Sequence, residues 1–385
     1  MPARTLPFGA KLPQLAAAFL LLVFLAQCIW FIAVVPVSSL ESSYIEDGLV
    51  QLDNMANAGS PERSPLVPLM AAVPLKHVAG RITWEQLDAY RFLIRLPFLL
   101  CGLMLGASLW YVARRLYGNF GGFIALALYI FSPLIVVQAN QAQEDIVAAW
   151  GAFGLVFTAI AVAHTLYAPR EVILWNWRRI VLLGISIALC IGAQFPLWIV
   201  LLPALGFLLW VGHVRPGAAL VIFATACAIA ALVLFAFYGF RPVVFFESLQ
   251  QAQWSQFTPL NLISALNYKL VGEFFLQAGL GPIVLVIGGL VTFVLWKRVR
   301  YFGTVAPLIA AGVLVFAALG NEHFSALVFL FVSLPFLILF VSGVAVDLLE
   351  SRYAVFANAV IIGAVIANAT IDIYGLMELR HFGVK

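Results

Sequence analysis

Two groups of acidic side chains are the residues of this sequence best placed to do chemistry. Glu41, Glu46 and Asp47 follow the first long apolar run, and Glu144 and Asp145 open a later one. A carboxylate at the edge of an apolar medium can have a raised pKa and act as a general base. Acidic residues also favour the first turn of a helix, so a purely structural role stays open for both groups.

Basic side chains near these acids could hold an anion. Arg63 lies in the proline-bounded segment SPERSPL, and Arg91 and Arg95 stand one helical turn apart where the second apolar run begins. The guanidinium group matches the geometry of a phosphate. We interpret all three as candidate phosphate ligands, although Arg91 could instead pair with Asp88 and both later arginines could snorkel to the membrane surface. A lone histidine, His323, could also contact a phosphate or metal from a short polar segment.

The composition requires that a lipid bilayer surrounds these residues. Of the 385 residues, 64% are hydrophobic and 10% are charged, with a mean hydropathy of +1.06. A water-soluble domain carries about 25% charged residues. The net charge of +4 is small and is spread over short basic clusters, so we expect no nucleic-acid partner.

Apolar runs long enough to cross a bilayer predict an all-α, polytopic membrane bundle. A membrane-spanning helix needs about 20 predominantly apolar residues. About eleven such spans are predicted, at 13–36, 92–112, 120–138, 146–167, 180–195, 197–212, 217–238, 279–296, 303–319, 325–346 and 353–374.

The basic residues predict how the bundle is oriented. With the N-terminus in the cytoplasm, 12 of the 21 Lys and Arg residues fall in short cytoplasmic segments, against 3 of the 17 acids. Short cytoplasmic loops are enriched in Lys and Arg, so this orientation is favoured over its inverse. The acidic groups then lie on the non-cytoplasmic side.

We expect one membrane domain over residues 1–385. Within the first outer loop, at residues 37–91, the sequence predicts an amphipathic helix over Ser43–Ala56 and an apolar helix over Leu66–Val78. Both are expected to pack on the membrane surface. The predicted parts are the first span at 13–36, a first outer loop at 37–91, spans two to seven at 92–238, a second outer loop at 239–278, and the last four spans with an outer C-terminal tail at 279–385.

Several motifs resemble the GT-C glycosyltransferases of the protein O-mannosyltransferase and aminoarabinose transferase type. LESSY, at residues 40–44, stands where that family has an acidic pair and a tyrosine after the first span. RSPL at 63–66 matches a basic residue before Pro and Leu. As in the family, an arginine (Arg91) opens the second span and a basic pair at 114–115 closes it. The family's third span and acidic motif resemble the stretch GGFIALALYIFSPLIVVQANQAQED, which ends on Asp145. The resemblance covers about residues 13–210, and the order and spacing of the motifs carry it.

The resemblance implies an inverting hexosyl- or pentosyltransferase that uses a polyprenyl-phosphate-linked sugar. Glu41 would be the general base, because Leu40 replaces the first acid of the family motif. Asp145, with Glu144 as an alternative, would orient the acceptor or hold a metal ion. The second-choice acids are Glu46, Asp47 and Glu144. The donor phosphate would be bound by Arg63, Arg91 and Arg95. The sugar or acceptor would be contacted by Tyr44, by Gln194 (a lysine in the family) and by His323.

The expected partners are the bilayer, the polyprenyl-linked sugar and a lipid, glycan or protein acceptor. No cofactor is certain, and a divalent metal is left open. We expect a multi-pass protein of the bacterial inner (plasma) membrane, with its active site facing outward in the cell envelope. Two alternatives stay open: a lipid or solute transporter, which would need ionisable groups near mid-membrane, and a non-catalytic GT-C-like assembly partner.

Overall fold

The computed structural model describes residues 12–53, 63–76, 84–167, 177–252, 254, 257–321 and 323–382. Over these residues the chain is built from helices joined by short connections, and they include no β-strand. Short 3-10 helices at 73–75, 84–90, 195–200, 259–263 and 297–299 lie between the α-helices. The predicted all-α bundle is therefore confirmed.

The α-helices are numbered here in chain order. They are α1 (Leu12–Val34), α2 (Ser39–Asp53), α3 (Leu66–Ala72), α4 (Arg91–Ile130), α5 (Pro133–Ala139), α6 (Asp145–Thr165), α7 (Trp177–Ala193), α8 (Leu201–Val211), α9 (Pro216–Phe237), α10 (Pro242–Gln251), α11 (Ala265–Ala278), α12 (Leu280–Leu295), α13 (Phe302–Gly320), α14 (His323–Leu349) and α15 (Ala354–Phe382).

The predicted count of eleven spans is not confirmed. Among the described residues, seven helices are long and apolar enough to cross a membrane, and an eighth span results if α11 and α12 count as one broken span bent by 117°. The predicted runs at 180–195 and 197–212 fall on helices shorter than a full span, because a break follows Ala193. The run at 92–112 and the first part of the run at 120–138 lie on either side of Gly118 in α4, where the backbone leaves the helical region (φ 78°), and the rest of the second run leads into α5.

Helix α14 forms the centre of the bundle. In this helix, 94% of the most apolar stretch is buried inside the protein, compared with 17% in α9, which therefore lies at the lipid-facing surface. α14 packs against α13, α4, α6 and α12. Its Ser333 and Ser342 hydroxyls donate to helix carbonyls one turn earlier, so these buried polar groups are satisfied without an outside partner.

Proline marks where many of these helices begin. Proline has no N–H to donate and its φ is already near the helical value, so it suits the first turn, where N–H groups have no intrahelical partner. Proline is the first residue of α5 (Pro133), α9 (Pro216), α10 (Pro242) and the fourth 3-10 helix (Pro259). Pro196 is the second residue of the 3-10 helix that follows Gln194, at the break between the apolar runs at 180–195 and 197–212.

The first outer loop differs from the prediction at its start. α2 begins at Ser39, four residues before the predicted Ser43, because Ser38 and Glu41 form a reciprocal cap. The Glu41 N–H donates to Ser38 Oγ (3.2 Å), and the Ser38 N–H donates to Glu41 Oε2 (2.9 Å). Further along, the predicted apolar helix is α3 followed by the 3-10 turn at 73–75, and its predicted end near Val78 lies outside the described residues.

Candidate active site

A cavity of about 420 Å³ lies at one end of the bundle. Its walls come from α2, the segment leading into α3, the start of α6, the end of α7 and the start of α14. The lining residues are Tyr44, Arg63, Ser64, Val67, Glu144, Ala193, Gln194, Phe195, Pro196 and Ser325. Four candidates from the sequence, namely Tyr44, Arg63, Glu144 and Gln194, are thus brought together.

The cavity lies at the end of the bundle opposite the basic connections. α7 begins beside Arg178 and Arg179 and ends at the cavity beside Gln194. α14 runs from the cavity at Ser325 towards Arg352. Since basic residues mark the cytoplasmic side, these helices carry the cavity to the side predicted to be non-cytoplasmic.

Arg63 is the cationic residue in the cavity wall. Its guanidinium stands 4.7 Å from the centre of the Tyr44 ring, and its Nη1 donates to Ser43 Oγ at 3.3 Å. Tyr44 itself is only 3% exposed, so the ring is a fixed platform. A guanidinium over an aromatic face is attracted by the ring quadrupole. Arg63 is half-buried, and no acid within the described residues forms a salt bridge with it, so its charge is available to an anion.

Glu144 is the acidic residue in the same wall. It directly precedes α6, and its Oε2 atom is buried without a hydrogen-bond partner among the described residues. Burial raises the pKa of Glu144, and the neighbouring Asp145 raises it further, while a hydrogen bond from Gln194 opposes the shift. A carboxylate in this state holds a proton more tightly than an ordinary glutamate does.

An aromatic wall continues the cavity towards the second outer loop. Phe195 lines the cavity, and its ring packs against Trp254 with the centroids 5.5 Å apart. Nearby, Tyr238 and Ser248 share a hydrogen bond of 2.9 Å between their hydroxyls, and burial raises the pKa of Tyr238. These contacts tie α9 and α10 to the end of the bundle that holds the cavity.

Glu41, expected as the general base, does not reach the cavity. Its side chain is completely buried and forms a salt bridge with the equally buried Arg95, whose Nε and Nη2 donate to Oε1 and Oε2 at 2.8 Å. Oε1 also accepts from the Ala142 N–H (3.0 Å). Burial alone would raise the pKa of Glu41, but the hydrogen bonds and charge of Arg95, with the Ser38 and Ala142 N–H groups, lower it overall. This carboxylate is therefore poorly suited to take up a proton.

The arginines expected beside the donor phosphate separate into different places. Arg95 is fully buried, and its remaining donors bind the Val35 and Pro36 carbonyls at 2.8 and 2.7 Å. Arg91 donates to the Ala33 carbonyl (2.6 Å) and pairs with Asp88 at 3.5 Å, as one of the sequence alternatives anticipated. Neither side chain lines the cavity, so only Arg63 of the three is placed to meet a phosphate there.

The other candidate acids are less central. Glu46 is exposed and Asp47 half-buried on α2, and neither lines the cavity. Asp145 is half-buried as the first residue of α6, next to Glu144. His323 begins α14, but its side chain lies outside the described part. Across the described residues, no three His, Cys, Asp or Glu side chains are grouped to share a metal ion, and the structure assigns no metal ligand.

Sequence reasoning missed part of the cavity wall. Ser64, Phe195 and Ser325 line it, although none of them was a candidate site residue in the sequence analysis. Ser64 follows the candidate Arg63 and Phe195 follows the candidate Gln194, so their positions beside candidate residues could have identified them. Ser325 reaches the cavity only because α14 is central, a fact that no local pattern encodes.

Comparisons with known proteins agree with this architecture. Residues 86–239 match the family described as dolichyl-phosphate-mannose-protein mannosyltransferase, a segment that ends just after α9. A sequence search of curated proteins gives no match. The resemblance noted from the motifs is supported by an independent match over less than half of the chain.

Solved structures match over most of the chain. ArnT from Cupriavidus metallidurans bound to undecaprenyl phosphate superposes with a TM-score of 0.62 at 14% identity, covering 95% of this chain and 76% of ArnT. The same protein in its apo state gives 0.59 at 14% identity, covering 96% and 77%. The apo oligosaccharyltransferase of Archaeoglobus fulgidus gives 0.56 at 12% identity, covering 98% of this chain and 56% of that chain. At these identities the matches establish the fold, and the predicted GT-C-like arrangement is confirmed.

Proposed function

We propose that this GT-C-fold chain is a membrane glycosyltransferase that moves a sugar from a polyprenyl-phosphate donor to an acceptor. The fold, the membrane helices and the family match over 86–239 support this assignment. Two similar structures carry lipid phosphates of the relevant class: ArnT is bound to undecaprenyl phosphate, and A. fulgidus AglB is in complex with a dolichol-phosphate and an inhibitory peptide. The acceptor is a lipid, glycan or protein bearing a free hydroxyl or amide.

The observation that carries the proposal is that a cation, Arg63, and a carboxylate, Glu144, line the same cavity. A sugar phosphate needs a cation at the leaving phosphate and a carboxylate near the attacking group. The Tyr44 ring under Arg63 holds the guanidinium in place, and Gln194 lines the cavity together with Glu144. A cavity of about 420 Å³ has room for a sugar ring with its phosphate.

The chemistry places modest demands on the protein. The acceptor oxygen or nitrogen attacks the anomeric carbon from the face opposite the phosphate, the carbon–oxygen bond to the phosphate breaks, and the configuration inverts. Polyprenyl phosphate leaves with the bonding electron pair, and Arg63 stabilises its charge. Because phosphate is a good leaving group, most of the rate enhancement comes from positioning and from charge stabilisation.

We place the active site on the outer face of the bacterial inner membrane. The cavity lies opposite the basic connections, which supports an outward opening. The lipid tail of the donor would then remain in the outer leaflet while the sugar enters the cavity. No cofactor is required by this scheme, and a divalent metal stays open.

Two alternatives have less support. A transporter would need ionisable groups along the membrane interior, and of the described residues the buried Asp372, bonded by Gln27 Nε2 at 3.0 Å, is the clearest example. A non-catalytic partner is favoured by one observation, the replacement of the first motif acid by Leu40, which is 40% exposed. The presence of both Glu144 and Arg63 in the wall of one cavity favours catalysis over both.

Replacement of Arg63 tests the proposal. We expect Arg63→Ala to weaken binding of undecaprenyl phosphate by about 1.5–3 kcal/mol, the contribution of a charged hydrogen bond, which is roughly 10- to 150-fold in Kd. Arg63→Lys should lose less, since a phosphate also accepts a point charge. Binding is measured by calorimetry or native mass spectrometry in nanodiscs, and turnover with undecaprenyl-phosphate mannose and undecaprenyl-phosphate aminoarabinose.

The matched control is Arg241→Ala. Arg241 is exposed, lies towards the same end of the bundle and does not line the cavity. We expect this variant to bind and turn over like the wild type. Equal undecaprenyl phosphate affinity in Arg63→Ala and Arg241→Ala, together with no turnover of either donor by the wild type, would contradict the proposal.

A further inference from the structure

We propose that Glu144 is the general base of this enzyme, and that the buried Glu41–Arg95 pair positions the loop that carries it. The inference rests on the proposed function, because it assigns the proton acceptor of the same reaction. It moves the base from the end of the first span to the start of α6, about 100 residues further along the chain.

Among the described residues, the start of α2 offers no free carboxylate at the motif position. The motif position is occupied by Leu40, which cannot accept a proton. Glu41 has no exposed surface, and its two oxygens accept hydrogen bonds from Arg95, the Ser38 N–H and the Ala142 N–H. To act as a base, Glu41 would have to break these bonds and leave the Arg95 charge buried without a partner.

Glu144 has the opposite surroundings. It lines the cavity together with Arg63, so an acceptor held against the donor sugar lies within its reach. Its Oε2 is buried and makes no hydrogen bond among the described residues, which is costly unless a ligand supplies a donor. An acceptor hydroxyl or N–H is such a donor. The raised pKa of Glu144 brings its basicity closer to that of an effective general base.

The Glu41–Arg95 pair is connected to Glu144 through a short loop. Glu41 Oε1 binds the backbone N–H of Ala142, two residues before Glu144. Arg95 fixes the other side of the pair by binding the carbonyls of Val35 and Pro36 at the end of α1. The pair therefore joins α1, α2, α4 and the loop before α6 at one point. Glu41 is a positioning residue, and it does not touch the reacting atoms.

The proposed reaction needs only the donor, the acceptor and a proton acceptor. The acceptor's O–H or N–H bond breaks as its heavy atom bonds to the anomeric carbon, and the proton moves to the carboxylate of Glu144. The electron pair of the sugar–phosphate bond leaves with polyprenyl phosphate. An anionic nucleophile such as azide carries no proton and needs no base, so it can replace both the acceptor and the function of Glu144.

Azide rescue distinguishes the base from the positioning residue. We expect Glu144→Ala and Glu144→Gln to reduce transfer from the donor that the wild type uses by about 10²–10⁴-fold, with undecaprenyl phosphate affinity changed less than about threefold. Sodium azide should restore donor consumption in Glu144→Ala and yield the inverted glycosyl azide. Glu41→Ala and Glu41→Gln should lose activity that azide does not restore. Glu273→Gln, an exposed Glu paired with Lys269, is the control and should behave like the wild type.

The outcomes separate this inference from the proposed function. If the wild type turns over the donor and Glu144→Gln retains full activity, the assignment of Glu144 as the base is overturned, but the proposed glycosyltransferase function is not. Azide rescue of Glu41→Ala or Asp145→Ala, but not of Glu144→Ala, would move the base to that residue. Absence of donor turnover and of undecaprenyl phosphate binding in the wild type would overturn both.

Discussion

At the scale of single residues, the Glu41–Arg95 pair is the most consequential contact. Both side chains have no exposed surface, so the protein must compensate the desolvation of two charges. It does so with direct N–H donors to both carboxylate oxygens and with two backbone carbonyls that accept from Arg95. Removal of one partner leaves the other charge buried without compensation, whereas removal of both removes the cause of the penalty.

We therefore expect Arg95→Met to destabilise the protein by about 3–5 kcal/mol, the usual cost of breaking a buried pair. The double variant Glu41→Gln/Arg95→Met should recover part of that loss, because the new glutamine side chain would be neutral and could still accept from the Ala142 N–H. The measurement is the apparent Tm in detergent. A double variant less stable than Arg95→Met would contradict this account of the pair.

The pair also predicts how stability depends on pH. The pKa of Glu41 is lower in the folded protein than in the unfolded chain, whose glutamates titrate near about 4.3. Its contribution is therefore fully present above that value and is lost as the pH falls through the folded-state pKa. Acidification below about pH 4 should lower the apparent Tm of the wild type more than that of the double variant, in which position 41 no longer titrates.

At the scale of elements, α2 and α3 pack closely against each other in the cavity wall. Tyr44 lies on α2, and Arg63 lies in the segment just before α3. Gly48 allows this contact, because a Cβ there would lie 2.1 Å from the Pro68 carbonyl oxygen and 2.7 Å from the Ala72 Cβ. A side chain at this position must push the two helices apart, since backbone atoms cannot rotate away as a flexible side chain can. The cavity wall depends on this close approach.

Gly48→Val should consequently cost about 1–3 kcal/mol of stability through overpacking. It should also weaken undecaprenyl phosphate binding, because Arg63 and Tyr44 move with the displaced helices. Both effects can be followed in one sample by thermal unfolding with and without the lipid phosphate. Gly272→Ala is the control, since an added Cβ there meets nothing within 4 Å. Equal behaviour of the two variants would show that α2 and α3 can separate without consequence.

The elements were largely predictable because their causes are local. The length of apolar runs located the long helices, and the Gln194-Phe195-Pro196 break follows from proline chemistry. The start of α2 was misplaced although Ser38 and Glu41 have the spacing of a capping box, which is a local signal. The predicted count of eleven spans is not confirmed, because runs of apolar residues do not distinguish a full span from a short buried helix.

At the scale of the whole molecule, the side of the membrane that holds the cavity is the central expectation. The basic connections and the cavity lie at opposite ends of α7 and α14. Leu260→Cys, at a residue that is 75% exposed near the cavity end, should react with a membrane-impermeant maleimide on intact cells. Asn119→Cys, exposed beside the Gly118 break, should react only after permeabilisation.

The native cysteines provide a low background for this labelling experiment. Cys28, Cys101 and Cys190 are buried and Cys227 is half-buried, so the wild-type protein should remain nearly unlabelled. Labelling of Asn119→Cys on intact cells, with protection of Leu260→Cys, would reverse the orientation. The active site would then face the cytoplasm, and the outward acceptor would be excluded.

The site was less predictable than the fold because its geometry depends on long-range packing. Arg63, Tyr44, Glu144 and Gln194 are each candidates from the sequence, but the resemblance to the family motif favours Glu41 as the base, because Glu41 follows the motif position that Leu40 occupies. The contact that removes Glu41 from the cavity comes from Arg95, 54 residues away. No pattern within one segment reveals that pairing, and the same long-range contact places Arg95 away from the cavity.

The ion pair has a consequence for how the chain is made. Arg95 lies in α4, which is synthesised after Glu41 and, in the predicted orientation, enters the bilayer after the segment with Glu41 has crossed. An arginine in a membrane helix opposes its insertion, and Glu41 can offset that opposition only once α2 has folded against the emerging helix. Biogenesis of the second span is thereby coupled to folding of the loop before it. A nascent chain with a misfolded first loop would present an unneutralised arginine to the lipid.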